Sequence, residues 1–456
     1  MTASSARPGD GGRYDIVICG AGVAGLTLAR LLGDEGRRVL VLERERAFRD
    51  VFKGEVLQPR ALRILQAVGS LGALREHGAL RADRFTAYSP DGRPVGDLPY
   101  AGLPGHHNHM LVHGFRDIQR ALAENLSPTV EVRYGASVHG LRIGDDGRVT
   151  GALAMQAGQQ VEIEATLTVA CDGRGSKLRK EAGLPLIAQR YGHEFIGFQL
   201  DRMADMEPTL AAFTMRQGVV LFFPLPGDQA RMYVQAECGV FRRRQRQDVP
   251  GWLDGVLRTV PALRQWERQV HAAAGTARIL PIWRQRARLW TRPGFALAGD
   301  AAHCVHPIAA QGMSAAADDA WVLGAALGNC DRLTPAAVDA ALACYEEVRQ
   351  PRQDFIDRIS HSLASLLTGT SASARALRQH ELRVIERNER LRQILTYNMA
   401  GCGVRRFTAR DRLLQIGLPD PRRTALPRLA EEPLPAIDNI MTRQKRAADQ
   451  QPARQQ

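Results

Sequence analysis

The segment 14–43, YDIVICGAGVAGLTLARLLGDEGRRVLVLE, restricts the fold more than any other stretch of the chain. Ile16-Val17-Ile18-Cys19 is an apolar run with the length of a buried strand. Gly20, Gly22 and Gly25 follow in GxGxxG spacing. An Ala/Leu-rich helical stretch then opens at Val23 and Ala24 and closes at Gly33 and Gly36. A second apolar run, 39–42, ends on Glu43 and Arg44. Gly20 permits a tight turn, Gly22 lets a pyrophosphate reach the backbone, and Gly25 lets the helix pack against the strand. The helix N-terminus offers free N–H groups and a positive dipole end to phosphates. Glu43 lies about 20 residues on, where an acid accepts ribose hydroxyls. The pattern reads as a dinucleotide site, with a glycine turn that only packs a helix as the plain alternative. Glu43 disfavours a ribose 2′-phosphate, so FAD and NAD both fit and NADP does not.

At 456 residues the chain has room for two domains with substantial cores. The formal charge of +13 invites a nucleic-acid reading, but the arginines are dispersed and no aromatic-interleaved basic patch stands out. No nucleic-acid partner is expected, whereas an anionic small molecule such as NADPH is compatible. Seven cysteines without a CxxC pair suit a reducing compartment. Cys304 and Cys402 read as small buried apolar residues. The start of the chain lacks the apolar core of a signal peptide, and no run of 18 apolar residues occurs. A cytoplasmic enzyme without a transmembrane segment, monomeric or homodimeric, is expected.

In chain order, 1–13 reads as a disordered leader and the dinucleotide unit follows. Pro59 opens an amphipathic helix, preceded by a loop with Lys53. The segment 84–100 alternates around Pro90-Asp91-Gly92, a hairpin signal. A loop with His106, His107 and His109 reads as a polar surface or substrate-side segment, not as a metal site. A helix from Phe115 carries Arg116 near its start. Short strands fill 130–170, and four more fill 188–237. The basic run 242–246 reads as a solvated helix face. Thr334-Pro335 is a helix start, and helical sequence runs to 399. The tail, 441–456, is polar and reads as disordered.

Two further turns follow apolar strands: CDGRGSKLR at 171–179 and AGDAAHCVHPIAAQGM at 298–313. In an open α/β sheet, such strand ends line one crevice. The triple resembles the para-hydroxybenzoate hydroxylase-like (class A) FAD-dependent monooxygenases. Its DG motif is Asp172-Gly173 with Ser176 and Arg179; its GD motif is Gly299-Asp300 with His303, Pro307, Gly312 and Met313. KGEVLQPRAL at 53–62 is similar to the quinolone-hydroxylase and squalene epoxidase-like branches. Ser314 stands where the family commonly has Asn, and Ala310 where Gly is common. No WxWxIP motif of a flavin halogenase is present.

The resemblance implies an α/β fold: a GR2-type Rossmann-like FAD-binding domain with an interleaved β-sheet substrate domain and C-terminal helices. The FAD-binding domain is assigned to 14–83, 101–187 and 278–370. The substrate domain takes 84–100 and 188–277, and the helical region 371–440. FAD would be the cofactor, Asp300 would bind a ribityl hydroxyl, and Gly312 and Met313 would open a helix under the pyrimidine ring. Pro307 would shape the loop beside the isoalloxazine, Asp172 would sit near the pyrophosphate, and Arg116 and Lys53 would contact FAD. NAD(P)H would visit without a fingerprint of its own. The implied reaction is hydroxylation of an aromatic or polycyclic small molecule in secondary metabolism, using O2 and a flavin hydroperoxide; epoxidation of an alkene is the alternative. Phe213, Phe222, Phe223 and Tyr233 are candidates for the substrate pocket. His193, Tyr191 and His109 are candidates for a base.

Overall fold

Each apolar run of the sequence's opening unit is buried on both faces, which is why it reads as a continuous run rather than an alternation. Ile16, Val17, Ile18 and Cys19 are all 1% exposed or less. They form the strand Tyr14–Cys19 at the centre of a parallel sheet. Its neighbours are Gln159–Ala170 on one side and Val39–Glu43 on the other; Phe295–Leu297 and Val130–Tyr134 continue the sheet outward in parallel. These observations come from a computed structural model that describes residues 13–204, 206–245, 248–418 and 426–435. The expected tail, and the expected leader apart from Arg13, lie outside those residues.

Register carries the functional consequence. Cys19 pairs with Ala170, and Ala170 with Leu297, so three strands end side by side. The pairing runs on into the turns, with Cys171 N–H donating to Cys19 O and Ala298 N–H to Ala170 O. Glycine turn, DG motif and GD motif therefore leave the sheet at one edge. Gln159–Ala170 also carries the meander, because its first half pairs antiparallel with Val149–Gln156.

A second sheet of eight strands stands apart. Its middle is the four-strand run expected from the alternation, Leu186–Asp201, Leu210–Met215, Gly218–Leu225 and Gln229–Glu237. The hairpin Arg84–Tyr88 and Pro94–Pro99 extends it through parallel pairing with Leu210–Met215. Arg278–Ala287, given to the FAD-binding part by sequence, runs instead in this sheet beside Leu186–Asp201. The reason is its long antiparallel register, Leu186 opposite Ala287 through Gly197 opposite Arg278. Basic residues 242 and 243 lie exposed in a short turn, Phe241–Gln245. Among the described residues, no helix is long and apolar enough to cross a membrane.

The helices Gly312–Gly328 and Pro335–Thr368 are tied together by buried charge. Asp318 and Asp319 are 1% and 0% exposed. Asp319 accepts from Arg349 Nε at 2.9 Å, from His303 Nε2 at 2.7 Å and from Gly299 N–H at 2.8 Å. Asp318 accepts from Arg60 Nε at 2.7 Å and Arg352 Nε at 3.1 Å. Burial alone would raise the Asp318 carboxyl, but the guanidiniums of Arg60, Arg349 and Arg352 outweigh it and pull it down to about 2. A carboxyl held below its unfolded value stabilises fully above about pH 4, and that contribution is lost as pH falls toward about 2. Asp319→Asn leaves Arg349 buried with one partner fewer. Equilibrium urea unfolding is expected to show a loss of about 3–5 kcal/mol, against under 1 kcal/mol for a surface pair. A loss below about 1 kcal/mol would show that the buried network is not what joins the helices.

Candidate functional site

The crevice begins at the glycine turn. Gly20 has φ +115°, and a Cβ there would lie 2.3 Å from Cys171 O. A Cβ on Gly25 would lie 2.0 Å from Gly20 O. These two glycines pack the turn. Gly22 differs, since a Cβ there meets nothing within 4 Å. The helix Val23–Asp34 starts on it with no side-chain cap, leaving its first N–H groups free to face an anion. Glu43 is turned toward the same loop, its two oxygens accepting from Ala21 N–H and Glu45 N–H at 2.9 Å each. Gln119 Nε2 donates to Ala21 O at 2.7 Å and pins the turn from the helix Phe115–Ala123. Sequence reading missed Gln119; its only signal was the i, i+3 spacing from Arg116. Arg116 is one turn earlier, and its Nε is buried without a hydrogen-bond partner.

The DG turn lies against this loop. Asp172 Oδ2 accepts from Lys177 N–H at 2.9 Å, and Ser176 Oγ from Arg179 N–H at 3.0 Å, which starts the helix Lys177–Glu181. Burial raises the Asp172 carboxyl, with Ser176 and the backbone N–H groups opposing. Arg179 Nη1 then reaches Ala301 O at 2.8 Å and joins the DG turn to the GD turn. Gly299, at φ +62°, packs on Ala24, where a Cβ would sit 3.1 Å from the alanine methyl.

Asp300 is half-buried and pairs with Lys53 Nζ at 3.0 Å. The carboxylate of Asp300 raises the Lys53 ammonium, against a desolvation that would lower it. Gly54 follows at φ +57°, with Met313 Sδ 3.0 Å from where its Cβ would be. Thus Lys53, Asp300 and Met313 meet from segments far apart in the chain. Gly312 and Gly173 have open space where a Cβ would stand. Arg44 sits out on the surface, against Glu45 at 3.5 Å, and Lys53, Asp172, Pro307 and Gly312 are exposed too.

Beyond the GD turn, Pro307–Ala309 forms one short helical turn and Ala310 adopts φ +50° without being glycine. Ile308, Ala309 and Ala310 bound a narrow apolar cavity of about 10 Å³, walled by Phe85, Met110, Leu210 and Phe223. Its polar lining is Gln58 and Tyr100, and the Tyr100 hydroxyl donates to Gln58 Oε1 at 2.8 Å. The four expected pocket residues divide by strand alternation. Phe223 faces the cavity, and Tyr233 packs beside it at 5.8 Å between ring centroids. Phe213 and Phe222 point to the opposite core, where they stack on Tyr88 and Trp266. They are structural because successive residues of a strand face opposite ways.

Tyr233 donates to Glu55 Oε1 in a buried pair, and Arg231 Nη2 holds Asp50 at 2.8 Å. The candidate bases separate as well. His193 and Tyr191 lie together beside His306 and His361, which sequence reading did not single out. His109 is buried and turns to His107 instead, 6.1 Å between ring centroids. Burial, then Arg81, pushes His109 down to about 4. His107 is buried too and bonds Gln66, whereas His106 between Gly105 and His107 is exposed. Burial also pushes the Cys304 thiol up and takes Cys402 to about 12, which leaves both in their thiol form.

The glycines predict opposite failures. Gly22→Val is expected to keep the unfolding midpoint of the cofactor-free protein and weaken FAD binding about a hundredfold or more, equivalent to about 2.7 kcal/mol. Gly25→Val is expected to unfold the protein. Fluorescence titration with FAD and thermal unfolding separate the two; a Gly22→Val protein that binds FAD normally would overturn the assignment.

Comparison with known proteins agrees with this geometry. The family described as "FAD binding domain" matches residues 13–358. The 6-methylpretetramide 4-monooxygenase of Streptomyces rimosus is 28% identical over 87% of this chain and 94% of its own. The 3-amino-4-hydroxybenzoate 2-monooxygenase PtmB3 of Streptomyces platensis is 30% identical over 86% of this chain and 98% of its own. The crystal structure of p-nitrophenol 4-monooxygenase PnpA from Pseudomonas putida DLL-E4 shares the fold, with a TM-score of 0.71 at 18% identity, covering 85% of this chain and 98% of that one. With three turns converging on one crevice and a family match over most of its length, the chain belongs to the FAD-binding-domain family of flavoprotein monooxygenases.

Proposed function

We propose that this chain hydroxylates an aromatic or polycyclic small molecule, with FAD in the crevice, NAD(P)H as reductant and O2 as oxidant. The observation that carries the reading is the in-register ending of three strands, whose turns meet beside an apolar cavity. The residues fit FAD: open approach at Gly22, Gly173 and Gly312, an unpartnered Arg116 Nε, and Asp300 within reach of Lys53.

In this reading Gly20, Gly22, Val23, Ala24 and Gly25 receive the pyrophosphate, helped by Arg116 and Asp172-Gly173. Glu43 accepts the ribose hydroxyls, Arg44 flanking it. Gly299 and Asp300 hold the ribityl chain, and Pro307, Gly312 and Met313 border the ring. Bound FAD supplies the redox chemistry, taking electrons from NAD(P)H and activating dioxygen. The chain binds, orients and excludes water. The uncapped start of Gly312–Gly328 presents N–H dipoles where negative charge is best stabilised. Phe85, Met110, Leu210 and Phe223 keep water from the cavity and offer flat apolar contact to a ring. Gln58 and Tyr100 supply its hydrogen-bonding groups.

The test is oxygen uptake and NAD(P)H oxidation by the FAD-loaded protein across a panel of neutral and anionic aromatic rings and of alkenes. An aromatic member is expected to stimulate NAD(P)H oxidation about tenfold or more, about 1.4 kcal/mol of barrier, and to gain one atom from labelled O2 by mass spectrometry. Labelled epoxide from the alkenes alone would select epoxidation. Stimulation and oxygen transfer from no member would count against both reactions.

A further inference from the structure

His306 is 1% exposed and immediately precedes the Pro307–Ala309 turn that floors the cavity. Its Nδ1 accepts from Ile308 N–H at 3.2 Å, and its Nε2 lies 2.9 Å from His193 Nε2. These two bonds determine the tautomers. A nitrogen that accepts an N–H carries no proton, so neutral His306 holds its proton on Nε2. That proton is donated to His193, whose own proton is then on Nδ1. An imidazolium has two donors and no acceptor, so protonation of either ring breaks one link.

The groups facing His306 are His193 and Tyr191 from the strand Leu186–Asp201 and His361 from the helix Pro335–Thr368. Tyr191 presents its ring edge-on at 4.8 Å and its hydroxyl to His361 Nδ1 at 2.8 Å. Beyond Tyr191 is the pair Arg284–Asp357. The acid of this set, Asp357, is held by Arg284 beyond Tyr191 and does not bond His306. Burial pushes His193 down to about 4 and His306 well below its ordinary value.

The turn needs such support. Pro307 has no N–H to donate. Ala310 sits in the left-handed region, which an alanine adopts only at a cost. From the other side Gln58 Nε2 reaches Ala309 O at 3.3 Å. We propose that His306 is a positioning residue for the monooxygenase reaction, fixing through Ile308 and its bond to His193 the turn that floors the substrate cavity and borders the flavin. This rests on the assignment of the crevice to FAD.

Three variants test it with FAD as the probe. His306→Leu removes both bonds. His306→Asn keeps an oxygen that can accept Ile308 N–H, as Asn does two residues before an N–H in an Asx turn, but loses His193. His193→Phe leaves the Ile308 bond and removes the other. The visible spectrum of bound FAD is expected to be shifted in His306→Leu and restored in His306→Asn. The thermal midpoint of wild-type protein is expected to fall from about pH 6.5 toward about pH 4, because unfolded histidines take up protons that the buried pair refuses. His306→Leu and His193→Phe should each lose a measurable part of that slope, the remainder coming from buried His107 and His109. A wild-type spectrum together with a wild-type slope in His306→Leu overturns the proposal. If that variant fails to fold, an unchanged slope in His193→Phe does so. Failure of wild-type protein to bind FAD would instead overturn the cofactor reading itself.

Discussion

The carboxylate of Asp319 is the point on which the architecture turns. It is fully buried, and it accepts from a backbone N–H of the GD turn, from His303 and from Arg349. Gly299 and His303 lie on the GD turn and Arg349 on a helix well beyond it. A carboxylate buried this deeply is tolerated only when its lone pairs are met by donors. Satisfying it therefore requires Gly299, His303 and the helix Pro335–Thr368 to be in place together. Asp318 extends the same demand to Arg60 and Arg352, and Arg352 reaches Glu432 at 2.7 Å. The GD turn is thus positioned by the buried charge behind it, through Gly299 and His303.

A second consequence concerns how the crevice is assembled. Its walls are turns, which lack regular structure, yet they are anchored within one residue of strand ends held in register. Gly20, Cys171 and Ala298 all remain in the hydrogen-bond ladder. Precision at the site comes from the sheet, and conformational latitude belongs to the turn residues past the last ladder bond. This is the usual division between rigid scaffold and functional loop, with the glycines marking where the backbone must come closest.

Much of this was legible in the residues. The parallel strands announce themselves because burial on both faces demands unbroken apolar runs, and GxGxxG with Glu43 identifies the turn by spacing. The second sheet was legible as alternation. What alternation could not say was which face meets the cavity, since period two divides Phe222 from Phe223 without naming the side. Nor could spacing reveal partners brought from afar: His193 and His306 are 113 residues apart, and Tyr191 and His361 are 170. Asp318-Asp319 was visible as two acids in an alanine-rich helix. Its meaning depended on arginines from two other helices. Nor could position between motifs tell which sheet Arg278–Ala287 joins, since that is decided by its register partner.

The second sheet divides two apolar environments. Val219, Leu221, Phe223 and Leu225 belong to the cavity-side core, and Val220 and Phe222 to the core behind it. One strand thus carries two independent messages, read at odd and even positions. Of the odd positions Phe223 lines the chamber, and a change there reshapes it while the aromatic packing of Phe222 on Trp266 stays untouched. Such a partition makes the scaffold evolvable: what the enzyme accepts can drift from one lineage to the next while the means by which it stays folded is inherited intact.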